Sequence, residues 1–473
     1  MTNYVKSISV SGMHGHQYIN LNFGPNLNIV HGRNGTGKTT LLHILANLLE
    51  GDIARFCFIT FERIVVGMSQ GYEIILEQKR QENTRSVFLY IDGIEHGMAS
   101  STDMIIDKVE RMESHFSIRD ALGSRSVYVP AFRSILEAVT SDRNYPASND
   151  QHNEEYQQIL RSERAHYNEE RNFFPHIGFY PSSRYEATAK KTMMCRDWFG
   201  RFVPIIRYPS LSDVERELAE EVAYANFQLS RIDQNTLTSV LKEVLEVVLR
   251  QPIMEAHEGI QTSPEELISR INKVDPESFR VPELYTAIEQ LLRQKQPSDT
   301  SAQVIYRGVL NVYATAISER EQSIEEAFSQ VNTFQGSVNS FLDGKYLSVS
   351  IKEQTGRRRM SPVRVVLDTN QESGTGILSS GERHVMTLLF SATHMSRADG
   401  TLLIDEPELS LHIDWQRKIL KELMKQAGNR QIIVCTHAPE VAIDHQDSLV
   451  ILVAEPWKSQ LDLDLDDVLD GEE

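Results

Sequence analysis

Cysteine is scarce. Only Cys57, Cys195 and Cys435 occur in 473 residues, with no metal-ligand spacing and no even disulfide set, which argues against a disulfide-stapled secreted domain and fits a reducing cytoplasm. No apolar run approaches the ~20 residues that cross a bilayer, so neither a spanning helix nor a membrane partner is expected. The opening residues, Met1 to Gly12, have neither the apolar core nor the small-residue cleavage site of a secretory signal, so export is not expected. Basic residues are outnumbered, 48 Lys and Arg against 66 Asp and Glu, leaving a net charge of −18. Phosphate backbones are bound through an excess of base, so nucleic acid is an open but disfavoured partner. No internal repeat is visible.

What is present is ordinary globular material, 40% hydrophobic and 24% charged, in a chain longer than a single core usually serves, so a head with a second lobe is expected. Strand patterns near Val5–Val10, Tyr18–Leu21 and Leu27–Val30 lead into a glycine-rich loop. Leu41, Leu42, Ile44, Leu45, Leu48 and Leu49 then recur at helical spacing. Further strands are predicted over Phe56–Val66, Tyr72–Glu77, Ser86–Asp92 and Ser126–Val129. Residues 141–185 are polar and irregular and suggest an inserted excursion. Ser212 and Glu215 read as a capping box that opens a helix through Val214, Leu218, Val222, Ala225 and Leu229. Helical runs follow at Leu237–Leu249, Pro264–Ile271, Pro282–Leu292 and Val304–Phe341. They are too short for the long coiled-coil arm of an SMC protein at ~1.5 Å per residue, so a compact helical insertion is expected. Strands return at Tyr346–Ile351 and Val363–Leu367 around a basic turn at Arg357, Arg358 and Arg359. The remainder alternates strand and helix, which implies a largely parallel sheet. The reading divides the chain into residues 1–208, the first part of a head; 209–343, the helical insertion; 344–456, the second part of the head; and 457–473, an acidic tail. That tail is either a solvated end or a docking segment for a basic partner.

Four motifs carry chemistry. Gly32, Arg33, Asn34, Gly35, Thr36, Gly37, Lys38 and Thr39 match G-x-x-x-x-G-K-[ST] after an apolar strand and before a helix. Backbone N–H groups in such a loop curl around the β- and γ-phosphates of a nucleotide at the positive end of the helix dipole. Lys38 adds a charge, Thr39 offers a hydroxyl to Mg²⁺, and Thr40 continues the nucleotide-binding run. Leu402, Leu403 and Ile404 form a buried strand ending in Asp405 and Glu406, where Asp405 would hold the metal and Glu406 would act as general base. Leu378-Ser379-Ser380-Gly381-Glu382 opens a helix and makes a small anion socket, although a capped helix alone has the same pattern. His437, after the next strand, is placed to sense a γ-phosphate, though a lone histidine is more often structural.

In this order the segments resemble an ABC-type ATPase: Walker A, the LSSGE signature, DEPELSLH for Walker B with its D-loop, and THAPE for the switch histidine. The resemblance implies an α/β fold, an ABC-type P-loop head with a mainly parallel central sheet, an N-terminal antiparallel β subdomain and a helical insertion. It further implies ATP and Mg²⁺ as cofactors and a sandwich of two copies, in which Ser379 and Gly381 of one copy act on the nucleotide of the other. The wide gap between Lys38 and Ser379 is similar to RecF, SMC and OLD-family heads. The wording DEPELSLH, with Trp415, Gln416 and Tyr208-Pro209-Ser210, resembles OLD-like ATPases of bacterial antiphage systems such as AriA of PARIS and PtuA of Septu. That implies a homo-oligomer, a separate Toprim- or HNH-type effector nuclease or toxin, and a phage trigger protein. With so little chain after His437, a nuclease is expected on another protein. The alternatives are a RecF- or SMC-type DNA-repair or chromosome-maintenance ATPase, with Arg357–Arg359, Lys352 and Arg364 tracking phosphates, and a non-hydrolysing scaffold that uses ATP only to dimerise. No Q-loop glutamine is evident; Pro130-Ala131-Phe132-Arg133 occupies its expected place.

Overall fold

The computed structural model describes residues 3–81, 84–102, 105–109, 115–133, 136, 154–164, 183–249, 300–350, 361–393 and 400–457. The tail, the helices expected at 264–271 and 282–292, the basic turn at 357–359 and most of 141–185 fall outside them.

The chain opens with β1 (Val5–Met13), β2 (Gln17–Asn22) and β3 (Leu27–His31), followed by α1 (Lys38–Glu50). Antiparallel strands β4 (Arg63–Met68), β5 (Glu73–Gln81), β6 (Thr84–Ile91), β7 (Ile94–Thr102) and β8 (Ile105–Val109) come next, then α2 (His115–Leu122) and β9 (Val127–Val129). Helices α3 (Ser183–Phe199), α4 (Leu211–Leu249) and α5 (Thr300–Asn339) precede strands β10 (Lys345–Val349), β11 (Val363–Leu367) and β12 (Glu372–Ser373). The chain continues through α6 (Ser380–Ala392), β13 (Leu402–Asp405), α7 (Ile413–Ala427), β14 (Ile432–Thr436), α8 (Pro439–Ala442), β15 (Leu449–Ile451) and β16 (Glu455–Pro456).

Among the described residues the strands form three sheets. The eight-stranded sheet runs β16-β2-β1-β4-β5-β6-β7-β8, the five-stranded sheet β15-β3-β14-β13-β9, and the three-stranded sheet β10-β11-β12. Every pairing in the five-stranded sheet is parallel. Its inner strands β13 and β14 are buried along their whole length, which is why they read as unbroken apolar runs instead of alternating ones. Gln431 joins this sheet to the antiparallel one: its Oε1 accepts from Val5 N at 3.1 Å and its Nε2 donates to Val5 O at 2.7 Å. The expected combination of parallel sheet, N-terminal antiparallel subdomain and helical insertion is the one observed.

Contacts divide the chain into two units. One holds Met1–Val214, Gly336–Asp343 and Thr375–Glu473; the other holds Glu215–Gln335 and Gly344–Gly374. No described helix is long and apolar enough to cross a membrane.

Four local expectations change. The strand expected from Phe56 is a 3-10 turn over Ile53–Phe58, and strand pairing starts only at Arg63. Ile53, Phe56 and Cys57 are buried at that turn's spacing. The β6–β7 hairpin escaped notice although Asp92 and Gly93, at φ 51° and 80°, are the two-residue turn that such a pair favours. Helix α4 starts two residues before the expected box: Asp213 N donates to Ser210 Oγ at 3.3 Å and Ser210 N donates to Asp213 Oδ2 at 3.0 Å. It then runs 39 residues without a break, because the polar stretch Ser230–Thr236 contains neither Gly nor Pro to stop it.

Within the polar excursion, residues 154–164 are helical. Ile159 and Leu160 pack with Tyr185, Ala189 and Met193. Glu155 meets Arg55 at 2.8 Å and Arg196 at 2.7 Å. Glu163 meets Arg207 at 2.7 Å, and Arg207 also grips Glu50, at the end of α1, with two 2.8 Å hydrogen bonds. Burial would raise the Glu50 carboxyl, but Arg207, Arg125 and Arg119 outweigh it and bring it down to about 2.

Candidate nucleotide and metal site

The loop between β3 and α1 lies at the carboxyl edge of the parallel sheet, where open α/β folds bind ligands. Gly35 and Gly37 take φ of 81° and 89°, backbone that side-chain-bearing residues rarely adopt. At Gly37 a Cβ would also stand 2.6 Å from Met13 Cε. Arg33, Asn34 and Gly35 are exposed, Gly32, Thr36 and Thr40 half-buried, and Lys38 buried. Lys38 Nζ donates to Gly32 O at 2.8 Å and Arg33 O at 3.1 Å, holding its charge inside the curl of the loop.

Thr39 and Asp405, far apart in sequence, meet here. Thr39 Oγ1 donates to Asp405 Oδ2 at 2.8 Å. The other carboxylate oxygen, Oδ1, is buried with no hydrogen-bond partner among the described residues. Burial lifts this carboxyl to about 6; the Thr39 hydrogen bond opposes the rise and the charge of Glu406 adds to it. An orphaned, buried carboxylate oxygen beside a hydroxyl fits a hard cation such as Mg²⁺, which takes one or two protein oxygens and completes its shell with phosphates and water. No cluster of three or more His, Cys, Asp or Glu suited to a metal occurs among the described residues.

Glu406 has φ 47°, a left-handed conformation costly for a residue with a side chain and concentrated at functional sites. Its N donates to Cys435 O at 2.8 Å. The carboxylate remains partly open, 26% exposed, with His437 Nδ1 3.3 Å from Oε1. Glu408, two residues further on, is buried. Its Oε1 accepts from Thr436 Oγ1 at 2.6 Å, His437 N at 3.2 Å and Ala438 N at 3.3 Å. One carboxylate therefore fixes the loop that presents His437. Sequence reasoning quoted Glu408 without giving it a role, since nothing in its spacing signals burial.

The signature residues stand apart. Ser379 caps α6 through a complete box, its N donating to Glu382 Oε2 at 2.7 Å and its Oγ accepting from Glu382 N at 3.4 Å. Ser379 is exposed. At Gly381 a Cβ would lie 3.2 Å from Ser410 O and 3.4 Å from the Trp415 ring. Among the described residues neither Ser379 nor Gly381 hydrogen-bonds to the P-loop of its own chain. The structure thus gathers the P-loop, Asp405, Glu406 and His437 at one edge, while at the start of α6 Ser379 is exposed and Gly381 half-buried.

A probable ATPase of retron Ec83 from Escherichia coli is 27% identical over 189 residues, 36% of this chain, and the chain spans only 33% of that relative's length. Overlays on two SMC head structures are loose. The Pyrococcus furiosus head with an extended coiled coil, bound to the C-terminal domain of ScpA, has 10% identity and a TM-score of 0.37, covering 100% of both chains. The SMC head bound to the C-terminal winged-helix domain of ScpA has 10% identity and a TM-score of 0.35, covering 96% of this chain and 98% of that one. Such overlays decide nothing about function. Residues 4–442 match the AAA_15 family, the AAA ATPase domain; the chain belongs to that family and carries its ATPase domain.

Proposed function

We propose that the chain is the ATPase subunit of a bacterial antiphage defence system, of the OLD-like kind, whose two copies close on ATP and hold a separate effector nuclease or toxin until a phage trigger is sensed. The observation that carries the hydrolytic part is Asp405, bonded to Thr39 on one oxygen and bare on the other, next to the partly open Glu406. Similarity to the retron ATPase supports the defence part. Three buried, unpaired cysteines suit a reducing cytoplasm.

In this reading the loop N–H groups of residues 32–40 cradle the β- and γ-phosphates and Lys38 neutralises them. Thr39 and Asp405 would hold Mg²⁺, which when bound supplies charge compensation at those phosphates. Glu406 takes the proton from the attacking water, and His437, steadied through Glu408, hydrogen-bonds the γ-phosphate. Exposed Ser379 and half-buried Gly381, with no hydrogen bond to their own P-loop among the described residues, supply an N-terminal helix socket to the γ-phosphate held by the second copy.

The test is mass photometry of the Glu406→Gln chain with ATP, expressed with its native genomic neighbours, followed by identification of whatever co-purifies. An ATP-dependent oligomer carrying a nuclease or toxin in fixed ratio supports the proposal. A dimer that recovers DNA and repair proteins replaces it with the chromosome-handling reading.

A further inference from the structure

One buried cation has no part in the chemistry above. Arg133, 1% exposed, follows β9. Its Nη1 donates to Pro130 O at 3.0 Å and Asp405 O at 2.9 Å, and its Nη2 donates to Glu406 O at 2.7 Å. A single guanidinium therefore fixes the backbone of both acids, including the left-handed residue whose conformation needs outside support. Its Nε donates to the imidazole of His384, whose nearer nitrogen, Nε2, lies at 2.5 Å. His384 sits on α6, in the second turn after the signature serine, and is itself buried. Burial, then the adjacent guanidinium, hold this histidine neutral, down at about 2, so it accepts where a charged imidazole would repel.

The chain of contacts continues. Thr387 Oγ1, one turn further along α6, is hydrogen-bonded to Tyr208 Oη and donates to His384 O at 3.1 Å. Tyr208 O accepts from Lys191 Nζ at 2.9 Å, and that ammonium lies 3.7 Å from Asp213 in the first turn of α4. A series of contacts, passing through the His384 backbone and the body of the Tyr208 side chain, thus joins the hydrolytic carboxylates to the signature helix and to the start of α4.

We propose that Arg133 is a positioning residue that, through neutral His384, locks the backbone of Asp405 and Glu406 to the signature helix. The catalytic acids of one copy and the socket it offers to the other copy's nucleotide are then set together. The inference rests on the ATP-sandwich reading above. A displaced guanidinium shifts both acids by a fraction of an ångström, and misplacement by about 1 Å costs about 10²-fold in rate.

The test uses the full chain with Arg133→Lys, His384→Leu and His384→Gln, measuring folding by near-UV circular dichroism, ATP affinity by calorimetry, kcat by phosphate release, and ATP-dependent self-association in a Glu406→Gln background. Arg133→Lys keeps the charge and loses the fork; kcat is expected to fall about 10- to 100-fold with ATP affinity within about threefold. His384→Leu should lower kcat and weaken self-association together. His384→Gln, a neutral acceptor, should recover most of both. A folded His384→Leu chain with wild-type kcat and association, or a His384→Gln chain as defective as His384→Leu, overturns the relay. Should Arg133→Lys not fold, the His384 pair decides. If Glu406→Gln alone fails to associate on ATP, the sandwich reading falls, and the effect of His384→Leu and His384→Gln on kcat still decides whether Arg133 positions the acids.

Discussion

Glu406→Gln isolates the proposed base. The substitution keeps the size of the side chain, and the residue's position is set by its backbone: N donates to Cys435 O at 2.8 Å and O accepts from Arg133 Nη2 at 2.7 Å. The left-handed φ of 47° is therefore retained. What changes is proton affinity and charge. Loss of a general base costs about 10²–10⁴ in rate, a barrier increase of about 3–5 kcal/mol. The fold should not suffer, because the carboxylate is partly solvated and its charge is among the causes that lift buried Asp405 to about 6. Removing it takes away one of the charges that raise the Asp405 carboxyl. Phosphate release at saturating Mg²⁺ and ATP measures the loss, calorimetry measures nucleotide affinity, and thermal unfolding reports stability. A kcat within about threefold of wild type, at unchanged ATP affinity, would refute the assignment of Glu406 as base.

Three further outcomes are expected. Lys38→Ala should abolish ATP binding, and unchanged affinity by calorimetry would remove the P-loop from the site. Gly37→Ala should strain the loop by about 1–2 kcal/mol through its positive φ and weaken ATP binding. Adding Met13→Ala removes the 2.6 Å contact but leaves the backbone strain, so full recovery in the double variant would show that the clash alone mattered. The Glu50 carboxyl, lowered from 4.5 to about 2 by its arginines against the effect of burial, stabilises the fold fully above pH 4.5. That contribution, about 3 kcal/mol, is lost as pH falls from 4.5 towards 2. Glu50→Gln should flatten this acid limb in denaturant titrations; an unchanged limb would show that the cluster carries no such linkage.

The sequence by itself determined the P-loop, the order of motifs, the parallel sheet and the long helix α5, because each rests on a local rule. A glycine-rich turn follows an apolar strand, buried strands read as continuous apolar runs, and an amphipathic helix repeats its apolar residues at steps of three and four. The same locality explains the errors. The capping box was placed on Ser212 and Glu215 although Ser210 and Asp213 serve equally well by spacing, and the Asp92-Gly93 hairpin was overlooked. Residues 154–164 read as irregular because their order comes from distant partners, Arg55, Arg196 and Arg207 for the two glutamates and Tyr185, Ala189 and Met193 for the apolar pair. Only the tertiary structure decided which oxygen of Asp405 is bare, that Glu408 holds the switch loop, and that Arg133 bridges two acids and a neutral histidine 251 residues further along. Burial and hydrogen bonding between distant segments set those roles, and no periodicity or spacing in a linear sequence encodes them.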